Sequence, residues 1–121
     1  MIGSGYVGLV SGTCFAEFGA NVTCIDVDKE KIEALNQGII PIYEPGLDAL
    51  VKKNKDEGRL LFSSEYSANI GDADLIFIGV GTPPNKDDGH ADLSYVYQAA
   101  RDVAPHLKNF TVIIEIGRAH V

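Results

Sequence analysis

Glycines at Gly3, Gly5 and Gly8, followed by Asp26 at the end of the next apolar run, constrain this chain more than any other feature of it. The loop Gly3-Ser4-Gly5-Tyr6-Val7-Gly8 runs straight into a helix-like pattern from Leu9 to Phe18, and Asn21-Val22-Thr23-Cys24-Ile25-Asp26 reads as a strand ending in a carboxylate. Gly3 allows a tight turn, Gly5 lets backbone approach a pyrophosphate, and Gly8 lets helix and sheet pack closely. The N–H groups opening the helix, at the positive end of its dipole, would hold the phosphates. An acid about 20 residues after the loop accepts hydrogen bonds from the adenosine ribose, which favours NAD over NADP because a 2′-phosphate would be repelled there. Glycines serving turn geometry alone would leave Asp26 unexplained.

The fingerprint should follow a strand, yet only Met1 and Ile2 precede Gly3. A strand of about five or six residues is usual, so the first strand is expected to be largely missing. In a sheet ordered 3-2-1-4-5-6 that strand is central, and its loss would leave two unpaired edges in mid-sheet. At the other end, Ile116-Gly117-Arg118-Ala119-His120-Val121 is what a common sequencing adapter encodes in one reading frame. Residues 115–121 are therefore expected to be non-native and 1–114 a cofactor-domain fragment; Arg118 and His120 carry no functional argument.

The 121 residues make one domain's worth of chain, and 45% hydrophobic content is ordinary for a globular core. A net charge of −7, from 17 acids against 10 bases, argues against nucleic acid or an anionic membrane as partner. No apolar run approaches a membrane span and no signal segment is visible, so a cytoplasmic setting is expected. Cys14, expected on a buried helix face with Val7, Val10 and Phe18, and Cys24, inside the strand, read as small buried hydrophobes in a reducing compartment. Neither has metal-ligand spacing, the three histidines are scattered, and no metal is expected.

Strand and helix signals alternate along the rest of the chain. Asp28 should cap a second helix closed by Gly38, and Leu47, Leu50 and Val51 mark a third, ending near Gly58. Between them, Ile39 to Gly46 is an extended connection with two prolines. Leu60–Ser63 reads as a strand, a brief helix is expected around Glu65–Ile70, and Asp74–Val80 is a continuous apolar strand suited to burial on both faces. A last helix, Leu93 to Leu107, should be capped by Asp92 and turn Val96, Ala99, Ala100 and Val103 inwards, before a strand from Thr111 to Ile114. The pattern predicts an α/β fold: a Rossmann-like, doubly wound parallel sheet, lacking its first strand and truncated after the start of a later one. Ligands in such sheets bind beyond the carboxyl ends of strands where the order reverses. That places Gly81-Thr82-Pro83-Pro84 beside the phosphate loop: Gly81 permits close approach, and Thr82 offers a hydroxyl and an N–H. A rigid surface turn would account for the same four residues.

Four segments together resemble the NAD-binding domain of the UDP-glucose 6-dehydrogenases, within the wider family of nucleotide-sugar dehydrogenases. They are Gly3 to Glu17, Ile40-Pro41-Ile42-Tyr43-Glu44-Pro45-Gly46-Leu47, Val80-Gly81-Thr82-Pro83-Pro84 and Ala91-Asp92-Leu93-Ser94-Tyr95-Val96. The resemblance implies a four-electron oxidation in which a sugar 6-hydroxymethyl group becomes a carboxylate and two NAD molecules are reduced in turn. It places Gly3, Gly5, Tyr6, Val7, Gly8, Asp26, Lys31, Gly81 and Thr82 at the cofactor. From the residues alone, Lys31 reads as a solvated helix residue; Tyr43-Glu44-Pro45-Gly46 is open to an approach to the active site but reads better as a helix start.

The same resemblance implies a nucleotide-sugar substrate, UDP-glucose above all, and a homo-oligomeric parent. Sister dehydrogenases for GDP-mannose or UDP-N-acetylmannosamine, or a nucleotide-sensing module on the same fold, stay open as alternatives. The family's Lys-Ser-Thr-Val-Pro motif is replaced here by the adapter-like tail. Its catalytic cysteine and lysine lie further along, and Cys14 and Cys24 do not match that nucleophile. On this reading the fragment by itself is inactive.

Overall fold

A computed structural model describes residues 1–116. The elements follow in the order α1 (Tyr6–Glu17), β1 (Val22–Ile25), α2 (Lys29–Asn36), α3 (Leu47–Asp56), β2 (Leu60–Ser63), β3 (Leu75–Ile78), α4 (Ser94–Val103) with a 3-10 turn at Ala104–His106, and β4 (Val112–Glu115). β1 pairs in parallel with β2, Val22 opposite Leu60, and β3 pairs in parallel with β4, Leu75 opposite Val112. Parallel neighbours require crossover connections, which the helices supply.

The expectation of two open edges in mid-sheet is corrected by Met1–Gly3, which fills the gap between β1 and β3. Ile2 forms parallel bridges to both Ile25 and Ile78. Ile25 donates its N–H to the Met1 carbonyl at 2.8 Å and Gly3 donates to Ile25 at 2.7 Å; on the other side Ile2 donates to Phe77 at 2.7 Å and Gly79 to Ile2 at 2.8 Å. Across the sheet the order is β2, β1, Met1–Gly3, β3, β4. Successive residues of a strand face opposite sides, so Cys24 joins a core with Leu9, Ala16, Leu35, Leu47, Val51 and Leu60, whereas Ile25 joins Ile2, Ile76, Ile78, Ala99 and Val103 on the other. Helices α1, α2 and α3 thus cover one face and α4 the other.

Several element boundaries match the sequence reading, and the departures have physical causes. The Asp28 carboxylate accepts the Lys31 N–H, as a cap for α2 should. The buried face of α1 is Gly8, Leu9, Gly12, Thr13 and Ala16, not the stripe through Val7, Val10, Cys14 and Phe18. Phe18 is 86% exposed and Cys14 only partly covered. Small residues win this face because the helix lies close to β1: a Cβ on Gly12 would stand 2.9 Å from the Cys24 sulfur. The brief helix expected at Glu65–Ile70 is a set of turns, in which Asn69 and Ile70 both donate to the Tyr66 carbonyl and no regular ladder follows. α4 yields to a 3-10 turn at Pro105, which cannot donate to a helical ladder. Ala100 is exposed, whereas Ala99 and Val103 are buried and Val96 packs against them.

Asp92 is not the residue flanking α4, which is Leu93, but its carboxylate does accept the Ser94 N–H. Of the stretch expected to be non-native, Glu115 closes β4 and Ile116 donates to the Ile78 carbonyl; residues 117–121 lie outside the described residues.

Candidate functional site

The glycine turn is built by exclusion. Gly3 has φ +94°, a left-handed conformation that disfavours any side chain, and a Cβ there would lie 3.0 Å from the Gly79 carbonyl oxygen and 3.2 Å from the Val80 Cα. A Cβ on Gly8 would fall 1.9 Å from the Gly3 carbonyl oxygen, so only glycine lets α1 begin this close to the turn. Gly5 differs from both. Among the described residues nothing lies within 4 Å of a Cβ built there, so none of their atoms explains its smallness. Gly5 caps α1 without a side-chain hydrogen bond, and the first turn carries no acid. Its opening N–H groups have no intrahelical acceptors and add to the positive end of the dipole. Such a helix start accepts an anion, and the open side of Gly5 leaves room for one.

Asp26, just past β1, is wired into this turn. One oxygen, Oδ2, accepts the Ser4 N–H at 2.8 Å and the Ser4 hydroxyl at 2.7 Å, with the Lys31 ammonium at 3.4 Å. The other, Oδ1, accepts the Asp28 N–H at 3.0 Å. Burial, with 11% of the side chain exposed, pushes the carboxyl pKa up. The Ser4 hydroxyl, the Asp28 and Ser4 N–H groups and the Lys31 charge outweigh that and hold it below its ordinary value. The acid is therefore ionised at neutral pH. A carboxylate offers about four acceptor sites; Oδ2 already meets three donors, so the remaining capacity is on Oδ1, the oxygen that would meet a further hydroxyl donor.

The structure brings Gly3, Gly5, Tyr6, Val7, Gly8, Asp26 and Lys31 to one end of the sheet. Lys31 is not a bare solvated residue, because it pairs with Asp26. Gly81 and Thr82 directly follow the Gly79–Val80 backbone that abuts Gly3, so they emerge beside the turn; Gly81 is exposed and Thr82 half-buried. Beyond them Pro84 bridges Ala91 in antiparallel fashion and Asp92 donates to the Pro83 carbonyl at 2.8 Å, closing the loop on itself.

One contact residue escaped the sequence reading, and a second was read only as part of a helix start. Ser4, 1% exposed, ties the turn to Asp26; a hydroxyl inside the fingerprint, next to an acid it must face, was the available signal. Glu44 accepts a hydrogen bond from the Tyr6 hydroxyl at 2.6 Å, which nothing in the spacing announces. Cys14 and Cys24 are free thiols, and burial pushes Cys24 up to about 11, so it is no nucleophile. Among the described residues no cluster of three metal-ligating side chains occurs, and no helix is long and apolar enough to cross a membrane.

A parallel α/β sheet whose glycine turn opens a helix, with an ionised acid closing the turn from the next strand, defines a Rossmann-like domain. The sequence matches the model of the UDP-glucose/GDP-mannose dehydrogenase family, NAD binding domain, over residues 1–117. The chain belongs to that family and is its NAD-binding domain. It is 57% identical over 114 residues to UDP-glucose 6-dehydrogenase of Rhizobium meliloti (strain 1021), covering 94% of this chain and 26% of that protein. UDP-glucose 6-dehydrogenase YwqF of Bacillus subtilis (strain 168) is 50% identical over 114 residues, with the same coverage of 94% and 26%. Among solved structures, a ternary complex of GDP-mannose dehydrogenase from Pseudomonas aeruginosa superposes with a TM-score of 0.89 at 35% identity, over 94% of this chain and 27% of that one. The chain thus spans about a quarter of the length of these relatives.

Proposed function

We propose that this domain serves a UDP-glucose 6-dehydrogenase: the whole protein oxidises the sugar 6-hydroxymethyl group to a carboxylate while two NAD molecules are reduced in turn. In this reading the sheet is doubly wound and residues 1–114 form the cofactor domain. The backbone at Gly3, Gly5, Tyr6, Val7 and Gly8 receives the pyrophosphate. Asp26 takes the adenosine ribose, with Lys31 at its side, and Gly81 and Thr82 border the cofactor where the strand order reverses. Bound NAD supplies the hydride acceptor; this chain's residues bind and orient it.

One observation carries the reading: Asp26, ionised and fixed by Ser4 and Asp28, stands directly against a glycine turn whose Gly5 is open on its outer side. A negative charge in that place also supports NAD over NADP. UDP-glucose is favoured because the relatives at 57% and 50% identity are named as UDP-glucose 6-dehydrogenases. A second reading, a sister dehydrogenase for GDP-mannose or UDP-N-acetylmannosamine, is favoured by the likeness of the backbone to enzymes so named. We further propose a cytoplasmic homo-oligomer with no nucleic-acid or membrane partner, the last supported by the net charge of −7.

The test is NADH formation by the full-length protein against a panel of nucleotide sugars, with NAD and NADP compared. Preference for UDP-glucose with NAD supports the proposal; turnover of GDP-mannose or UDP-N-acetylmannosamine alone selects the second reading, and NADP preference removes the role given to Asp26.

A further inference from the structure

The segment between α2 and α3 is held by little of its own. Among the described residues, the main-chain groups of residues 40–43 take part in no backbone hydrogen bond. Tyr43 is 90% exposed and Ile39 58% exposed, while Ile40 and Ile42 rest against the core. An open hollow of about 790 Å³ lies along the segment, lined by Ile40, Ile42, Tyr43 and Glu44 among others. Its one polar side-chain tie among the described residues is the 2.6 Å bond from the Tyr6 hydroxyl to Glu44 Oε2. Tyr6 is the first residue of α1, next to the open Gly5, and Glu44 stands just before α3. Helices α1 and α3 lie side by side with their amino ends together. Their far ends are joined as well, where Glu17 accepts from Lys53 at 2.6 Å and from Asn54 at 2.8 Å.

We infer that the Tyr6–Glu44 bond is a latch that holds the 38–46 segment against the amino end of α1, making both residues positioning residues for the dinucleotide. This rests on the cofactor reading above. The mechanism is entropic: a segment without a ladder of its own samples many conformations, and one fixed contact at its end limits them before a ligand arrives. The Tyr6 side chain reaches Glu44 from the same turn that exposes the phosphate-binding N–H groups, so the latch borders that site. The hydroxyl keeps its proton, because the Glu44 carboxylate accepts it and, by hydrogen bond and charge, raises the tyrosine pKa.

The test compares the 121-residue chain with Tyr6→Phe, Glu44→Ala, Glu44→Gln and the double variant Tyr6→Phe/Glu44→Ala. Amide hydrogen exchange of residues 39–47 is followed without cofactor, and Kd is measured by titration with NAD. Tyr6→Phe and Glu44→Ala should each speed exchange in that segment and weaken NAD about fivefold, the worth of one modest hydrogen bond. The double variant should be no worse than either single one. Glu44→Gln, whose amide oxygen still accepts the hydroxyl, should stay near the parent, which a loss of charge alone would not predict.

Unchanged exchange in both single variants overturns the latch, and faster exchange with an unmoved Kd overturns its role in cofactor binding. If the parent fails to bind NAD, the cofactor reading falls, and the positioning role falls with it, while the exchange data still judge the contact. Tyr6→Phe removes only an exposed hydroxyl; should it unfold the chain, Glu44→Ala tests the same bond from the other side.

Discussion

Asp26 gathers four hydrogen bonds at the candidate site in one side chain. It terminates the turn through Ser4, it receives Lys31, and it keeps capacity on Oδ1. Replacing it with alanine should weaken NAD binding by about 1–3 kcal/mol, the scale of a lost charged hydrogen bond, read by titration on the folded variant. Its protonation also links stability to pH. The folded pKa lies below the ordinary value of 3.8, so the stability this group lends is complete above that value and drains as pH falls through the lower folded value. Urea melts of Asp26→Asn should show a shallower acid limb below about pH 4 than the parent; parallel limbs would deny the linkage. The placing of this acid against the glycine turn was legible, because its distance from the loop is a recognisable spacing. Ser4 was not, since a hydroxyl inside a loop carries no periodicity to reveal its partner.

At the scale of the element, α1 separates two kinds of glycine. Gly8→Ala would drive a methyl into the Gly3 carbonyl, backbone that cannot swing aside, at a cost of at least about 3 kcal/mol. Gly5→Ala meets nothing, and its φ of −70° and ψ of −168° suit alanine. It should leave the thermal midpoint nearly unchanged, within about 0.5 kcal/mol, while NAD affinity falls about tenfold or more as the methyl fills the approach to the helix start. Thermal melts and NAD titrations of the two variants check the contrast. Equal loss of stability in both would refute it. The same helix shows where sequence misled. Counting apolar side chains selected the face through Phe18, but the sheet takes the face of Gly8, Gly12, Thr13 and Ala16, where the lack of bulk permits close contact. In the same way, Ala99 and Ala100 read alike in the sequence and only the rotation of α4 tells them apart. The extended strands were easier, because an unbroken run such as Leu75–Ile78 has few other places to go.

For the whole molecule, everything meets at Ile2. It is 1% exposed, bridges β1 and β3, and belongs to the core beneath α4. Ile2→Ala keeps the backbone bonds but should cost about 2–5 kcal/mol, as large-to-small core changes do, measured by urea denaturation. Loss of less than about 1 kcal/mol would mean that the site collapses around the smaller residue and that the two halves do not depend on it. The order of strands about this residue was legible from the alternation of elements. That so short a stretch would stitch both halves together was not, since strand-length rules speak for longer segments.

For the proposed reaction, in which two nicotinamides are reduced per sugar, the Ser4–Asp26 pair has a consequence. An enzyme of that kind must shed a spent carrier and take up a fresh one while the half-oxidised sugar waits. A part-buried carboxylate left without donors would be costly in that interval. Here the Ser4 hydroxyl and the Ser4 and Asp28 amides already satisfy the carboxylate, so in that reading the berth stands ready between one carrier and the next.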